Sequence, residues 1–333
     1  MSGDYRTLIG SWLEAPTRQA LDAAMAVLEE PCAMRARHGD LTIALEASQP
    51  FRDARSNVRV MAVHLPFLVH AAITGETAAA VPLASALLVM EAGVYLLDHV
   101  MDGELVPPLN DWSPGTQILA ATSLLSYAPQ QLLTSMTCTA ERLRSILQRL
   151  ADGMRRIRIG QAIEIEYEAA GRAHLASAEE SVKGKTGERR ALYASLPAIL
   201  AGADTATVSA YEGYGMSLGI ARQIHSDLVD LFGRWPSRDL ASGIRTWPLA
   251  LYIDRAEPAD RNRMLQLLEW ARNDQSVIGE IREHLRESGC LREMLLRKEV
   301  HCQRALRLLA EIKPREPAAR ELRHAVELVS MAT

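Results

Sequence analysis

Hydrophobic residues recur every three or four positions along almost the whole chain, and stretches that alternate every second residue are almost absent. Residues three or four apart share one face of an α-helix, so this spacing predicts helices rather than strands. Helices are predicted over residues 4–14, 16–37, 53–74, 79–102, 114–128, 130–150, 151–171, 176–184, 187–202, 205–231, 244–254, 258–273, 275–287, 291–311 and 317–331. No repeat, linker or shift in composition divides the chain. We therefore predict one all-α domain over residues 1–333, a helical bundle with a site at its centre.

The most apolar stretch, residues 81–100, is about long enough to span a bilayer. It contains Glu91 and ends in Asp98-His99, so we interpret it as a buried helix that ends before Pro107-Pro108. Further helix ends are predicted at residues 235–237 and 313–314, where proline interrupts the pattern.

Two short acidic clusters interrupt otherwise apolar helices about 130 residues apart. Asp98 and Asp102 are four residues apart, and Asp227 and Asp230 are three apart, so each pair shares a helix face. An isolated acidic pair commonly marks a helix end that reaches solvent. Here Glu91 lies on the same face as Asp98, and no basic residue is close in sequence to Asp98 and Asp102. Paired carboxylates facing an apolar interior need a compensating cation, and oxygen ligands suit Mg²⁺.

Two more polar segments lie between these clusters. Gln161 and Glu164 repeat the pattern of polar groups on an inward helix face. Residues 183–187, Lys-Gly-Lys-Thr-Gly, predict a break between helices, where a lysine and a hydroxyl can contact phosphate oxygens. The same segment taken alone is equally compatible with a surface turn. It is not a P-loop, because the upstream glycine spacing and the preceding strand are missing.

Composition narrows the possible functions. A net charge of −4 and a pI of about 6.2 give no indication of a nucleic-acid partner. The four cysteines are far apart in sequence, which favours reduced thiols in a cytoplasmic protein over a disulfide framework or a zinc site. Residues 1–6 carry no apolar signal core, so we expect no secretory leader.

The order of these segments resembles the trans-isoprenyl diphosphate synthases, which are also called polyprenyl synthetases. That family has an aspartate-rich first motif, a GQ helix, a KT dipeptide, an FGxxLGxAF lead-in, an FQIxDDxxD second motif and a GKxT segment. The corresponding segments here are residues 98–102, Gly160-Gln161, Lys185-Thr186, residues 214–221, residues 223–230 and residues 243–246. The resemblance covers roughly residues 50–255.

The resemblance implies the isoprenoid-synthase helical bundle, with a central active-site cavity, and homodimers. It also implies an allylic prenyl diphosphate as substrate and Mg²⁺ as cofactor. The implied metal ligands are Asp98, Asp102, Asp227 and Asp230. The side chains implied to complete the diphosphate clamp are Lys185, Thr186, Gln223, Arg59 and Arg245.

The departures from the family pattern concern mainly the second substrate. His99 and Ser226 replace motif aspartates, and Ile244 replaces the GKxT lysine, with Arg245 beside it. Only Arg59 remains of the basic GGKRxRP segment that family members use for isopentenyl diphosphate. The histidine on the motif helix aligns with Glu91, and no arginine follows the first motif. We therefore expect the allylic half of the site to be partly kept and the isopentenyl half to be largely lost.

Three functions remain open at this point. The first is a prenyltransferase that gives the allylic cation to an acceptor other than isopentenyl diphosphate, and we favour it. The second is a terpene cyclase on the same fold, and the third is an inactive partner subunit. An ordinary chain-elongating synthase fits less well, because the isopentenyl site has lost cations.

We hypothesise that Glu91 acts as a base or orients a proton donor of the acceptor. The length of the prenyl chain cannot be predicted, because Gly93 would open the cavity and Tyr95 would close it.

Overall fold

The computed structural model describes residues 9–29, 40–105, 107–169, 175–233, 237–242 and 246–331. All regular elements within these ranges are helical, so the all-α prediction is confirmed. The α-helices are α1 (Glu14–Leu28), α2 (Leu41–Ala47), α3 (Gln49–Arg55), α4 (Met61–Thr74), α5 (Val81–Asp102), α6 (Pro114–Leu125), α7 (Tyr127–Thr134), α8 (Ala140–Ala169), α9 (Leu175–Val182), α10 (Glu188–Leu200), α11 (Thr205–Phe232), α12 (Arg238–Ser242), α13 (Trp247–Arg255), α14 (Pro258–Ala271), α15 (Ile278–Glu287), α16 (Cys290–Ile312) and α17 (Ala318–Met331).

The apolar helix α5 lies inside the bundle. It packs against α1, α4, α6 and α7, and its side chains Leu83, Leu87 and Leu88 are buried. Residues Ala78–Met101 are long and apolar enough to cross a membrane, but 67% of the most apolar window is buried within the protein. This burial agrees with the interpretation of residues 81–100 as a core helix.

Several predicted helix boundaries were wrong. The segment 53–74 is divided between α3 and α4, and α2 was not predicted at all. Asp40 begins α2, because its side chain accepts a hydrogen bond from the backbone N–H of Thr42. The predicted end at residue 150 does not exist, since α8 continues through it. Gly153 lies inside α8 against Leu192, where a Cβ atom would come within 2.5 Å of Leu192 Cδ2.

The predicted break at residues 183–187 is instead a single π-helical turn that continues α9 into α10. Its Gly184 does not reverse the chain direction. It lies against Gly160 of α8, where a Cβ atom on Gly160 would be 2.6 Å from the backbone nitrogen of Lys185. The glycines therefore bring two helix backbones together. A π-turn inside a helix is rare and is frequently found at functional sites.

Helix α11 packs closely against this turn and against α10. A Cβ atom on Gly219 would lie 2.7 Å from the carbonyl oxygen of Thr186, and one on Gly215 would lie 2.3 Å from that of Arg190. Glycine at both positions lets the backbone of α11 approach. The close packing places the 183–187 turn beside the second acidic cluster of α11.

Candidate active site

Lys185 of the π-turn reaches towards acidic residues on two other helices. Its Nζ lies 2.6 Å from Oε2 of Glu164 on α8. Burial alone would lower the pKa of Lys185, but the carboxylates of Glu164 and Asp98 outweigh burial, and the pKa is raised. Lys185 is therefore a firmly charged ammonium between α8 and α5. Sequence reasoning had not assigned a role to Glu164, although its spacing from Gln161 already indicated an inward position.

Thr186, Gln223 and Asp227 form a directed series of hydrogen bonds. The hydroxyl of Thr186 donates to Oε1 of Gln223 over 2.8 Å, and Nε2 of Gln223 donates to Oδ1 of Asp227 over 2.8 Å. Each end of the Gln223 amide thus has one partner, which fixes its orientation. The predicted residues Lys185, Thr186, Gln223 and Asp227 therefore lie on two neighbouring elements, the π-turn and α11.

Asp227 is a buried carboxyl with an excess of negative charge around it. Burial is the largest influence on its pKa, and the carboxylates of Asp239 and Glu164 add to it, raising the pKa to about 8. The hydrogen bond from Gln223 opposes this shift only in part. Without a compensating cation, Asp227 therefore carries a proton at neutral pH, whereas a metal ion would favour its ionised form.

The other predicted metal ligands are less fully described. Asp98 is half-buried on α5, and the side chain of Asp102 lies outside the described residues. Asp230 accepts a hydrogen bond from the hydroxyl of Ser237. Among the described side chains, no three His, Cys, Asp or Glu residues converge on one point. The oxygen-only donors still fit Mg²⁺, which takes one or two carboxylates and completes its shell with water and phosphate. The assignment of all four aspartates as ligands stays a prediction.

Glu91 is held by two arginines and a tyrosine from α10. Its carboxylate lies 3.5 Å from guanidinium nitrogens of both Arg189 and Arg190 and accepts a hydrogen bond from the hydroxyl of Tyr193. Burial would raise the pKa of Glu91, but Arg189, Arg190 and Tyr193 together lower it. A carboxylate with a lowered pKa is a weak base. The network therefore favours an orienting role for Glu91 over the hypothesised role as a base.

Arg59 is buried rather than exposed to an open diphosphate site. Its side chain is 4% exposed and forms an ion pair with Glu321 of α17. Its Nε and Nη1 atoms have no hydrogen-bond partner among the described residues. Arg245, the other predicted basic contact, lies outside the described residues.

A cavity of about 280 Å³ lies beside Glu91. Polar and charged side chains from several elements line it: Gln49, Asp53, Arg59, Glu91, Tyr95, Arg190 and Arg222. Sequence reasoning missed Arg189, Arg190 and Arg222. Signals for them exist, because Arg189 and Arg190 follow shortly after Lys185-Thr186, and Arg222 interrupts an apolar stretch directly before Gln223.

Comparisons with known proteins agree with this architecture. The chain is 34% identical to a geranylfarnesyl diphosphate synthase from Natronomonas pharaonis, over 47% of this chain and 49% of that enzyme, so the match spans about half the length of that relative. It is 26% identical to a short chain isoprenyl diphosphate synthase from Methanothermobacter thermautotrophicus, over 68% of this chain and 71% of that enzyme.

Solved structures show the same fold. A geranylgeranyl pyrophosphate synthetase from Pyrococcus horikoshii superposes with a TM-score of 0.83 at 18% identity, over 96% of this chain and 97% of that one. A polyprenyl synthetase from Streptomyces coelicolor gives a TM-score of 0.79 at 20% identity, over 95% of this chain and 98% of that one. Residues 57–285 match the profile of the polyprenyl synthetases. The profile match places this chain in the polyprenyl synthetase family.

Proposed function

We propose that the protein is a Mg²⁺-dependent prenyltransferase that ionises an allylic prenyl diphosphate and transfers the prenyl group to an acceptor other than isopentenyl diphosphate. Two sets of contacts on adjacent residues of the π-turn carry the first part. Lys185 pairs with Glu164, and Thr186 is joined through Gln223 to Asp227 by hydrogen bonds. Lys185 supplies a fixed ammonium, and Asp227 is a buried carboxyl whose acidic neighbours favour a bound cation. This combination suits a diphosphate bound together with a divalent metal ion.

The chemistry follows from where charge develops. Heterolysis of the allylic C–O bond leaves an extra negative charge on the departing diphosphate and a positive charge on the prenyl group. Lys185 stabilises the departing anion, and bound Mg²⁺ would supply further positive charge there. The buried aliphatic side chains of α4, α5 and α10 exclude water from the cation.

Glu91 supports an acceptor that is not isopentenyl diphosphate. Its carboxylate is ionised and already neutralises part of the charge of Arg189 and Arg190. A diphosphate placed beside Glu91 would meet a like charge. Ser56 and Asn57 stand where the resemblance leads one to expect basic residues, so they supply no compensating cation.

Chain elongation with isopentenyl diphosphate is the second candidate, and two observations favour it. The relatives at 34% and 26% identity are named as diphosphate synthases. Arg190 and Arg222 also bring positive charge into the cavity beside Glu91, which the sequence alone did not indicate. The choice between the two functions therefore depends on product analysis.

The purified protein should be incubated with Mg²⁺ and geranyl, farnesyl or geranylgeranyl diphosphate, with and without isopentenyl diphosphate and with a panel of small nucleophiles. We expect diphosphate release that depends on Mg²⁺ and on an added nucleophile. Consumption of isopentenyl diphosphate would establish elongation, and a hydrocarbon or alcohol from one substrate alone would establish cyclisation. Either result would overturn the proposed acceptor. The variant Asp98→Asn is the matched control, and it should abolish turnover in every case.

A further inference from the structure

The cavity beside Glu91 collects arginines from three separate parts of the chain. Arg59 precedes α4, Arg190 belongs to α10 and Arg222 belongs to α11, and all three line the same space of about 280 Å³. The last two are close in sequence to the diphosphate clamp, since Arg190 lies four residues after Thr186 and Arg222 directly precedes Gln223. The cavity therefore shares α5 and α11 with the proposed site of ionisation.

The arginines in and around the cavity are not equally paired with carboxylates. Glu321 pairs with Arg59, and Glu91 is shared between Arg189 and Arg190. The remaining acidic side chain of the lining, Asp53, accepts a hydrogen bond from Gln49. Arg222 differs from Arg59, Arg189 and Arg190, because no carboxylate of the described residues pairs with it.

Several arginine donors in this cluster also have no acceptor in the described part of the chain. Nε and Nη1 of Arg59 and Nε of Arg190 are buried without a hydrogen-bond partner, whereas Nη1 of Arg190 lies 3.5 Å from Glu91. Arg222 forms no ion pair with any carboxylate that the structure describes. Burial lowers its pKa to about 10, and the neighbouring cations Arg190 and Arg59 add to the effect. Buried donors without acceptors are costly, so the cluster is arranged to receive an anion.

We propose that this cavity binds the carboxylate group of the prenyl acceptor, with Arg190 and Arg222 as its donors. This inference rests on the proposed function and deepens it. A planar guanidinium matches a carboxylate through two parallel hydrogen bonds, and one carboxylate would supply the acidic partner that Arg222 lacks among the described residues. A diphosphate carries more than one negative charge and would bury the additional charge beside the ionised Glu91. The cavity volume of about 280 Å³ also suits a small carboxylic acid better than a long-chain one.

The test measures binding without Mg²⁺ and without an allylic substrate, so it is independent of turnover. Benzoate, as a simple carboxylate probe, and isopentenyl diphosphate are titrated separately into the wild-type protein by calorimetry. We expect saturable benzoate binding that is weakened at least tenfold by Arg222→Gln, because a charge-assisted contact is lost. Arg222→Lys keeps the positive charge but loses the two parallel N–H donors of the guanidinium. We therefore expect its affinity for benzoate to lie between those of wild type and Arg222→Gln. Arg307→Gln, an exposed arginine of α16, is the matched control and should bind as wild type.

Three results would overturn the inference: no saturable benzoate binding, equal binding by Arg222→Gln in a sample that melts cooperatively, or tighter binding of isopentenyl diphosphate than of benzoate. The last result would make the cavity a diphosphate site. Failure of the proposed function has a different signature. Benzoate would then bind in an Arg222-dependent way, but no nucleophile would promote Mg²⁺-dependent diphosphate release.

Discussion

At the scale of single residues, the buried His64 has a fixed protonation state. Its Nδ1 accepts a hydrogen bond from the backbone N–H of Val60 over 2.7 Å, and its Nε2 lies 3.2 Å from the hydroxyl of Thr17 on α1. An Nδ1 that accepts must be unprotonated, so Nε2–H donates to Thr17. Burial, followed by the nearby charge of Arg59, lowers the pKa of His64 from 6.5 to about 3.

This lowered pKa makes the contribution of His64 to stability depend on pH. Between pH 6.5 and about 3, the unfolded chain binds a proton at this position and the folded chain does not. The free energy of unfolding therefore falls as the pH falls through that window. We predict that the stability advantage of wild type over His64→Asn shrinks by about 2 kcal/mol between pH 7 and pH 5. Urea unfolding at both pH values measures this difference in the free energy of unfolding, and His324→Asn is the control. A difference that does not change with pH would contradict the prediction.

The raised pKa of Asp227 makes the affinity for Mg²⁺ depend on pH. Because the metal-free carboxyl holds a proton up to about pH 8, Mg²⁺ must displace that proton below this value. We predict that Mg²⁺ affinity rises about tenfold per pH unit between pH 6 and pH 8 and then levels off. Calorimetric titration with Mg²⁺ measures this rise. The variant Asp227→Asn should bind Mg²⁺ weakly and without this dependence. An unchanged affinity in that variant would remove Asp227 from the metal site.

The same carboxyl affects the metal-free protein. Its pKa is higher in the folded state than in the unfolded state, so its contribution to the free energy of unfolding decreases as the pH rises from about 4 to about 8. Asp227→Asn removes this decrease in the free energy of unfolding, because an amide does not ionise. Mg²⁺ should therefore stabilise wild type most strongly at the alkaline end of the range.

At the scale of elements, the contact between α11 and the π-turn holds Gln223 beside Thr186. We predict that Gly219→Ala destabilises the protein by about 1–3 kcal/mol, because its Cβ would lie 2.7 Å from a backbone oxygen that cannot move independently. Thermal unfolding and turnover measure the effect, and turnover should fall further than stability alone explains. Gly279→Ala on α15 has no atom within 4 Å of its Cβ and should be neutral or slightly stabilising. Equal effects of the two substitutions would contradict the predicted steric clash.

The elements also show what the sequence could and could not predict. The long helices α5, α11 and α16 were predicted within a few residues at most ends, because their apolar periodicity is sustained. Gly184 led to a wrong break, since glycine permits a chain reversal and a close helix contact equally well. Only the packing partner decides between these two, and Gly160, the partner of Gly184, is distant in sequence.

At the scale of the whole molecule, the sequence indicated the residues around Gln223, but of the residues around Glu91 it indicated only Glu91 and Arg59. Thr186, Gln223 and Asp227 stand in recognisable local motifs and are joined by hydrogen bonds, and Lys185 beside them pairs with Glu164. Arg59, Arg190 and Arg222 belong to no shared motif, and folding alone brings them to one cavity. The net charge of −4 describes the whole chain and gives no indication that these arginines lie together.

Homodimer formation also belongs to this scale and remains a prediction. Apolar side chains are exposed on α6 and α8, including Leu119 at 68% and Leu147 at 44%. We predict that sedimentation equilibrium gives twice the chain mass of 36.7 kDa and that Leu119→Glu shifts the protein towards the monomer. Leu296→Glu on α16, at a side chain that is 59% exposed, is the matched control for adding one charge. A wild-type monomer would contradict the prediction.

Helix α17 forms one side of the cavity beside Glu91. Its Glu321 neutralises Arg59, its Ala325 and Leu328 complete the lining, and the backbone oxygen of Leu322 accepts a hydrogen bond from Tyr214 of α11. A segment more than 80 residues beyond the second acidic cluster thus closes a compartment whose chemistry lies elsewhere in the chain. Substitutions at Ala325 and Leu328 would therefore change the lining of this cavity, to which Lys185, Thr186, Gln223 and Asp227 do not belong.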